Sequence, residues 1–442
     1  MEASALQNAG LANTWLDTLL RGQSNLAASP RGWLNALRSE ALERANALSV
    51  PTPRDEEWRF TDLSPLYKTS VRRAEPAVAL PAADVARFEV PEAGSRLTFV
   101  DGHFAAALSS PQLRDGVVVR PLAAALAEHD PAVQEHLARY VALGDDPFTA
   151  VNTAWLQDGV LVRVAQGQAA PAAVHLLFVS TRADLASHPR VLVVAERDSE
   201  CTVIEDFVAL HEGAYLVNAV TEIALADAAR VRHVRLQRDS QAAFHVATCG
   251  VRVGREAQYA GASIALGARI SRYNLSLVQA GEGAQCRIDG LALIGGRQLA
   301  DTHSLLDHAA PNGRSRQLHK CIVARAGHAV FNGKIFVRPG AQLTDAAQQS
   351  RNLLLSESAR VDTKPQLEIF ADDVKCAHGA TVGQLEPDQV FYLKSRGLSE
   401  ATARDLLTFA FAAEIVERIP VPSLVPRLEE WVARQTQNRK PS

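Results

Sequence analysis

From about Gly159 to Gln384 the chain is written as short apolar runs separated by glycine, Asp-Ala or Asn-Gly breaks. The runs cover residues 160–164, 174–179, 191–194, 201–207, 216–225, 231–236, 245–253, 259–265, 273–278, 286–293 and 329–337, and helical spacing is absent between them. A small motif marks many of the breaks: a small or polar pair leading into an apolar residue. It reads Asp198-Ser199-Glu200-Cys201, Ala228-Ala229-Arg230-Val231, Glu256-Ala257-Gln258-Tyr259 and Gly283-Ala284-Gln285-Cys286, with later versions at Gly340-Ala341-Gln342-Leu343 and Ser358-Ala359-Arg360-Val361. The first four apolar positions, 201, 231, 259 and 286, stand 30, 28 and 27 residues apart. A period of this size is the mark of a solenoid, in which each coil buries its face against the next. Strands this short, with small residues at the corners, predict a β-helix over 159–384. A β-sandwich is the alternative, but it does not require near-constant spacing.

The flanks read differently. In residues 1–64, Trp15, Leu16, Leu19 and Leu20 fall on one helical stripe, and Trp33, Leu34, Leu37 and Leu42 form a second after Pro30. Pro51 and Pro53 end that stretch, and Glu57-Trp58-Arg59-Phe60-Thr61-Asp62 reads as a turn anchored by its aromatic residues. Residues 65–158 are a mixed lead-in, with short strands at 97–100 and 117–119 and helical patterns at 122–126 and 131–140. Residues 385–442 return to helix: Gly397 is a natural stop, and Ser399 can cap a long helix ahead of Pro420. Its small apolar face around Ala412 suits close docking, either on the chain's own strands or on a partner.

Composition excludes several classes. Hydrophobic residues make up 47% and charged residues 21% of the 442, and the net charge of −3 predicts neither nucleic acid nor an anionic membrane as a partner. The five cysteines are scattered and odd in number, with no CxxC pair, which argues against disulfides and for a reducing compartment. With no basic, apolar leader at the start, a cytoplasmic location is expected. No phosphate loop, dinucleotide fingerprint, GxSxG, HExxH or EF-hand loop occurs. A chain of this size without self-contained catalytic apparatus reads as a scaffold or complex subunit rather than an enzyme. A β-helix carbohydrate-active enzyme or acyltransferase is the alternative from another class, with the acid- and histidine-rich patch Asp301–His308 as its one candidate site. Cys249, Cys286 and Cys321 sit in apolar, strand-like runs and read as core residues.

The stretch that carries chemistry is 364–383. Alternation along a strand puts Val374, Cys376 and His378 on one face and Asp373 and Lys375 on the other. A thiol beside an imidazole can ligate a soft metal, yet two ligands do not close a four-coordinate site. Two readings stay open on spacing alone: half of a site completed by another chain, or a buried cysteine next to a hydrogen-bonded histidine.

The residues Glu57-Trp58-Arg59-Phe60-Thr61-Asp62, Asn332-Gly333-Lys334-Ile335-Phe336-Val337 and Thr344-Asp345-Ala346 carry a resemblance. So do Asn352-Leu353-Leu354-Leu355-Ser356, the run from Leu367 to Gly383, and Phe391-Tyr392-Leu393-Lys394-Ser395-Arg396-Gly397. Together they resemble the SufB/SufD family of the SUF iron–sulfur cluster assembly system, and within it the SufD-like branch. The resemblance implies a mainly β fold, with a right-handed parallel β-helix core between N- and C-terminal helical domains. It implies a scaffold role in a SufBCD-type complex: pairing with a SufB-like chain through the β-helix, and docking of the ABC-type ATPase SufC on the C-terminal helices. ATPase activity is expected in that partner. The family's functional position falls on His378, with Cys376 beside it, as ligands to a nascent cluster at the subunit interface. No stably bound cofactor is expected; a transient Fe–S cluster is, and reduced flavin has been associated with such complexes. Alone, the chain could form a homodimer.

Overall fold

The repeat follows from how one coil turns into the next. Asp198, Ala228, Glu256, Gly283, Asn312 and Leu343 all adopt left-handed backbone conformations, each two residues ahead of a strand. Each turn residue donates its N–H to a carbonyl at the equivalent corner of the following coil: Asp198 to Asp227, Ala228 to Arg255, Glu256 to Glu282, Gly283 to Pro311. The hydrogen-bond ladder therefore runs through the corners, which offsets the cost of non-glycine residues in that region. The next residue, Ser199, Ala229, Ala257 or Ala284, is small and buried in the corner. The following apolar residue enters the lumen.

The computed structural model describes residues 2–437 apart from 76–78, 113–114 and 145. Strands alternate between two parallel sheets, so that eight coils stack into a β-solenoid. The first sheet runs from Val160–Val164 through Arg190–Ala195, Leu216–Leu225, Phe244–Val253, Ile270–Gln279, Leu299–His308 and His328–Val337 to Arg360–Ile369. The second runs from Ala93–Val100 through Ala173–Ser180, Glu200–Ala209, Arg230–Arg238, Gln258–Ala265, Gln285–Ile294, Arg314–Val323 and Asp345–Leu354 to Lys375–Gly383.

The four periodic positions are register partners in the second sheet: Cys201 with Val231, Val231 with Tyr259, Tyr259 with Cys286. The column continues through Ser315 and Ala346 to Cys376. The two later copies of the motif lie elsewhere: Leu343 is itself the turn residue, and Val361 belongs to the first sheet. Leu299–His308, Arg314–Val323 and Asp345–Leu354 are among the strands that match no apolar run in the sequence, because polar side chains occupy both of their faces.

Helices lie on the outside. α1 (Glu2–Leu20) and α2 (Gly32–Ala47) cover one flank of the first sheet with α3 (Pro147–Ala154), whose N-terminus is capped by Asp146. Asn152 of α3 donates to the carbonyls of Pro189 and Asn218 at 3.0 and 2.8 Å, joining helix to sheet. At the other end of the chain come α4 (Pro387–Ser395), α5 (Glu400–Val416) and α6 (Leu424–Gln437). Gly397 follows α4 with φ +92°, and the Ser399 hydroxyl accepts from the Thr402 N–H at 3.1 Å to cap α5. Ala412, Ile415 and Val416 pack on the outer face of the second sheet beside Leu291, Leu318 and Ile322, so the small face of α5 docks on the chain itself. No helix among the described residues is long and apolar enough to cross a membrane.

Candidate functional site

Lys375–Gly383 is the last strand of the second sheet. It pairs in parallel with Asp345–Leu354, and among the described residues no strand lies on its other edge. The turn before it is pinned by the Leu343 N–H to the Asp373 carbonyl at 2.7 Å and by the Asp373 N–H to Gln342 Oε1 at 2.9 Å. Strands in the middle of the solenoid are mostly buried and Arg360–Ile369 is largely half-buried, but every residue of this one is exposed except half-buried Cys376. Register fixes its faces. Cys376 follows buried Ala346 and His378 follows buried Gln348, so both side chains lie on the lumen face at the rim of the last coil.

Cys376 packs against the end of the main core, which also holds Ala346 and Ala371. Burial pushes its thiol above the ordinary value; the Asp345 carboxylate adds to this and a backbone hydrogen bond at Ala346 opposes it. The other four cysteines are fully buried, and burial raises the thiols of Cys201, Cys286 and Cys321 to about 12. Those are inert core residues. His378 is exposed, about 6.6 Å further along the strand than Cys376 and on the same face, so the two can reach one metal centre from one side. Among the described residues no three His, Cys, Asp or Glu side chains converge to hold a metal ion.

The Asp301–His308 patch lies on the strand Leu299–His308, and its side chains divide between the two faces. Asp301 and His303 point outward: Asp301 pairs with Arg272, accepts from the Thr61 hydroxyl at 2.5 Å, and contacts His303 at 3.1 Å. Burial opposes ionisation of Asp301, but Arg272 and His303 together hold its carboxyl well below the usual range. Glu57 pairs with His303 at 3.1 Å, and Trp58 lies under the Arg272 guanidinium at 4.3 Å. The Trp-Arg-Phe motif is therefore the clamp of the N-terminal segment onto the first sheet. His308 turns inward to the Ser315 hydroxyl at 3.0 Å, while Asp307 pairs outside with Arg338. These groups pair with separate partners on the two faces and do not form one site.

Inside the lumen, directly beneath His378, is a run of polar side chains that sequence reasoning missed. Gln348 Nε2 donates to Gln317 Oε1, and Gln317 Nε2 donates to the Ser304 hydroxyl, each at 2.8 Å. A buried glutamine leaves no periodic signal; Gly333, in a motif already singled out, was the available hint. Apolar side chains are also exposed around the open end: Leu343, Ile369, Phe370 at 58% and Val382 at 48%. A second exposed apolar set, Phe391, Tyr392 and Leu406, lies on α4 and α5.

A parallel solenoid that ends in a thiol–imidazole edge has relatives. Residues 178–411 match the SufBD core domain of the SUF system for FeS cluster assembly, and residues 11–176 match the SufBD protein N-terminal region. The chain is 39% identical to an iron–sulfur cluster assembly SufBD family protein of Synechocystis sp., over 94% of each chain. It is 33% identical to the iron–sulfur cluster assembly protein SufD of Escherichia coli, over 86% of this chain and 87% of that one. It is 32% identical to the chloroplastic protein ABCI7 of Arabidopsis thaliana, over 90% and 86%. The chain belongs to the SufB/SufD family of iron–sulfur cluster assembly proteins.

Proposed function

We propose that this chain is a cytoplasmic, SufD-like scaffold subunit whose open solenoid end docks on a SufB-like chain, with His378 and Cys376 supplying ligands to a cluster assembled between them. One observation carries the reading: the pair stands at the rim of a terminal strand with a free backbone edge, ringed by exposed Phe370, Val382 and Ile369. An unpaired edge of N–H and C=O groups beside apolar side chains is a template for strand addition by a second chain. The nascent cluster is cargo. Thiolate and imidazole are both established donors to iron in such clusters, and the partner supplies the remaining ligands. The exposed apolar residues of α4 and α5 suit the docking of an ABC-type ATPase of the SufC kind. Without its partner, the same edge suits a second copy of this chain.

The test is His378→Ala in the co-expressed complex, with iron and sulfide measured anaerobically. The variant complex should co-purify intact, with cluster content reduced by about tenfold or more. Normal cluster content would remove His378 from the site.

A further inference from the structure

We propose that Gln348 is a positioning residue for His378: when the exposed imidazole turns inward, the Gln348 side-chain carbonyl accepts the proton of one ring nitrogen and commits the lone pair of the other to the open end. This rests on the reading of His378 as a cluster ligand.

Gln348 is 1% exposed and sits on the lumen face one coil inward from His378. Its Nε2 donates to Gln317 Oε1, whose own amide donates on to Ser304. The two amides are therefore polarised in one direction, with donors aimed into the solenoid. The group left over is Gln348 Oε1, buried and without a hydrogen-bond partner. A buried acceptor left unmade costs on the order of 1–3 kcal/mol, so it is retained for a reason or satisfied by what comes next. What comes next is His378, its register partner on the adjacent strand, with side chains on the same face and strands about 4.8 Å apart.

The facing sheet makes room for this amide. A Cβ added at Gly333 would lie 2.4 Å from Gln348 Nε2 and 2.7 Å from the Phe331 ring. The glycine thus holds open the space that the Gln348 side chain crosses. Thr363, on the last strand of the first sheet, also has a buried hydroxyl with no partner. Both sheets therefore bring an unsatisfied polar atom to the end of the lumen.

Neutral histidine has one N–H and one lone pair, and the group that takes the N–H decides which nitrogen is free for a metal. Gln348 would make that choice once the imidazole turns inward from its exposed position. Removing such an outer hydrogen bond typically lowers metal affinity or activity 10- to 100-fold.

The experiment is ring-nitrogen NMR on the full chain labelled with 15N-histidine, with the His378 signals assigned by their loss in His378→Ala. In the neutral form, wild-type His378 should show one dominant tautomer. In Gln348→Met the two nitrogens should average as in a free imidazole, and cluster loading of the complex should fall about tenfold or more. Gln348→Glu, which keeps an acceptor, should restore both the single tautomer and most of the loading. A free tautomer mixture in wild-type protein overturns the proposal, whether or not Gln348→Met folds. The two readings fail separately. A tautomer mixture with a cluster-deficient His378→Ala removes only the role of Gln348. Normal clusters in His378→Ala remove the ligand assignment and leave the tautomer result standing.

Discussion

The two ends of the solenoid are built from the same coil and finished in opposite ways. At the N-terminal end the parallel ladders are turned back: Val117–Pro121 runs antiparallel to Val160–Val164, and His103–Phe104 antiparallel to Ala93–Val100. The helix Leu122–Ala127 and α2 then bury Leu34, Leu122, Leu161 and Leu192 in a shared cluster. At the other end, Arg360–Ile369 and Lys375–Gly383 stop with no returning strand among the described residues. α4 to α6 follow in sequence, yet they pack along the side of the second sheet and leave the rim bare. A repeat array needs a cap at each end to stay soluble, and the rim without one is where the proposed partner would dock. Even the two bare strands differ. Arg360–Ile369 carries Pro365, which lacks an N–H and blunts an edge, whereas Lys375–Gly383 has no proline and can accept a new strand along its length.

The largest stability effect should come from the finished end. Glu222 is fully buried on the first sheet, pairs with Arg190 at 2.6 Å, and accepts the N–H groups of Ala138 and Tyr140, each at 2.8 Å. Arg190 is also buried and contacts Asn152 and Thr153 of α3. Glu222→Ala leaves a guanidinium in the core with no counter-charge and releases the segment at 138–141. Urea unfolding should show a loss of about 3–5 kcal/mol. A loss below 1 kcal/mol would mean that this cover is not held by the pair and that the two ends are more alike than they look.

The second prediction asks whether the open end is loose inside as well as bare outside. His308 and His319 lie in one coil, two in from the open end, and burial lowers both from the usual 6.5 to about 4. His319 stacks on Phe331 with ring centroids 4.6 Å apart. The unfolded chain binds a proton at each as pH falls through about 6.5, while the folded chain does so only near 4. Stability is therefore complete above pH 6.5 and declines between there and about 4, by at most about 3 kcal/mol per histidine. His319→Phe should flatten part of that slope in urea titrations taken across the range. An unchanged slope would mean that water reaches the lumen and that the bare rim marks a frayed coil.

The solenoid was legible because a corner demands a left-handed residue followed by a small one, and that demand repeats in Ala228-Ala229 and Glu256-Ala257. The strand Leu299–His308 was not, because its outward acids and histidines pair with Arg272, Glu57 and Arg338 from distant parts of the chain, which no local pattern reveals. Cys376 read both as core and as ligand for a physical reason. It occupies the core column of Cys201 and Cys286 at the one rung where that column meets solvent. Alternation placed His378 on the same face, but the amides beneath it, Gln348 and Gln317, became visible only in three dimensions.

The smallest change in stability should accompany the clearest change in association. Phe370 is 58% and Val382 48% exposed, and Phe370 touches the body through Phe336 at a ring separation of 5.3 Å. Substitutions at such sites usually shift folding by no more than about 0.5 kcal/mol, because little apolar area is lost. A charge there would, however, have to be desolvated under a docked strand, at a cost of several kcal/mol. Phe370→Asp with Val382→Lys should therefore unfold at nearly the wild-type urea midpoint while failing to co-purify with a SufB-like partner, and the isolated chain should run as a monomer. A single buried Val162→Lys at the capped end should do the reverse and unfold the protein outright. If the surface pair left association intact, the bare rim would be an exposed edge with no partner, and the contrast between the two ends would lose its functional meaning.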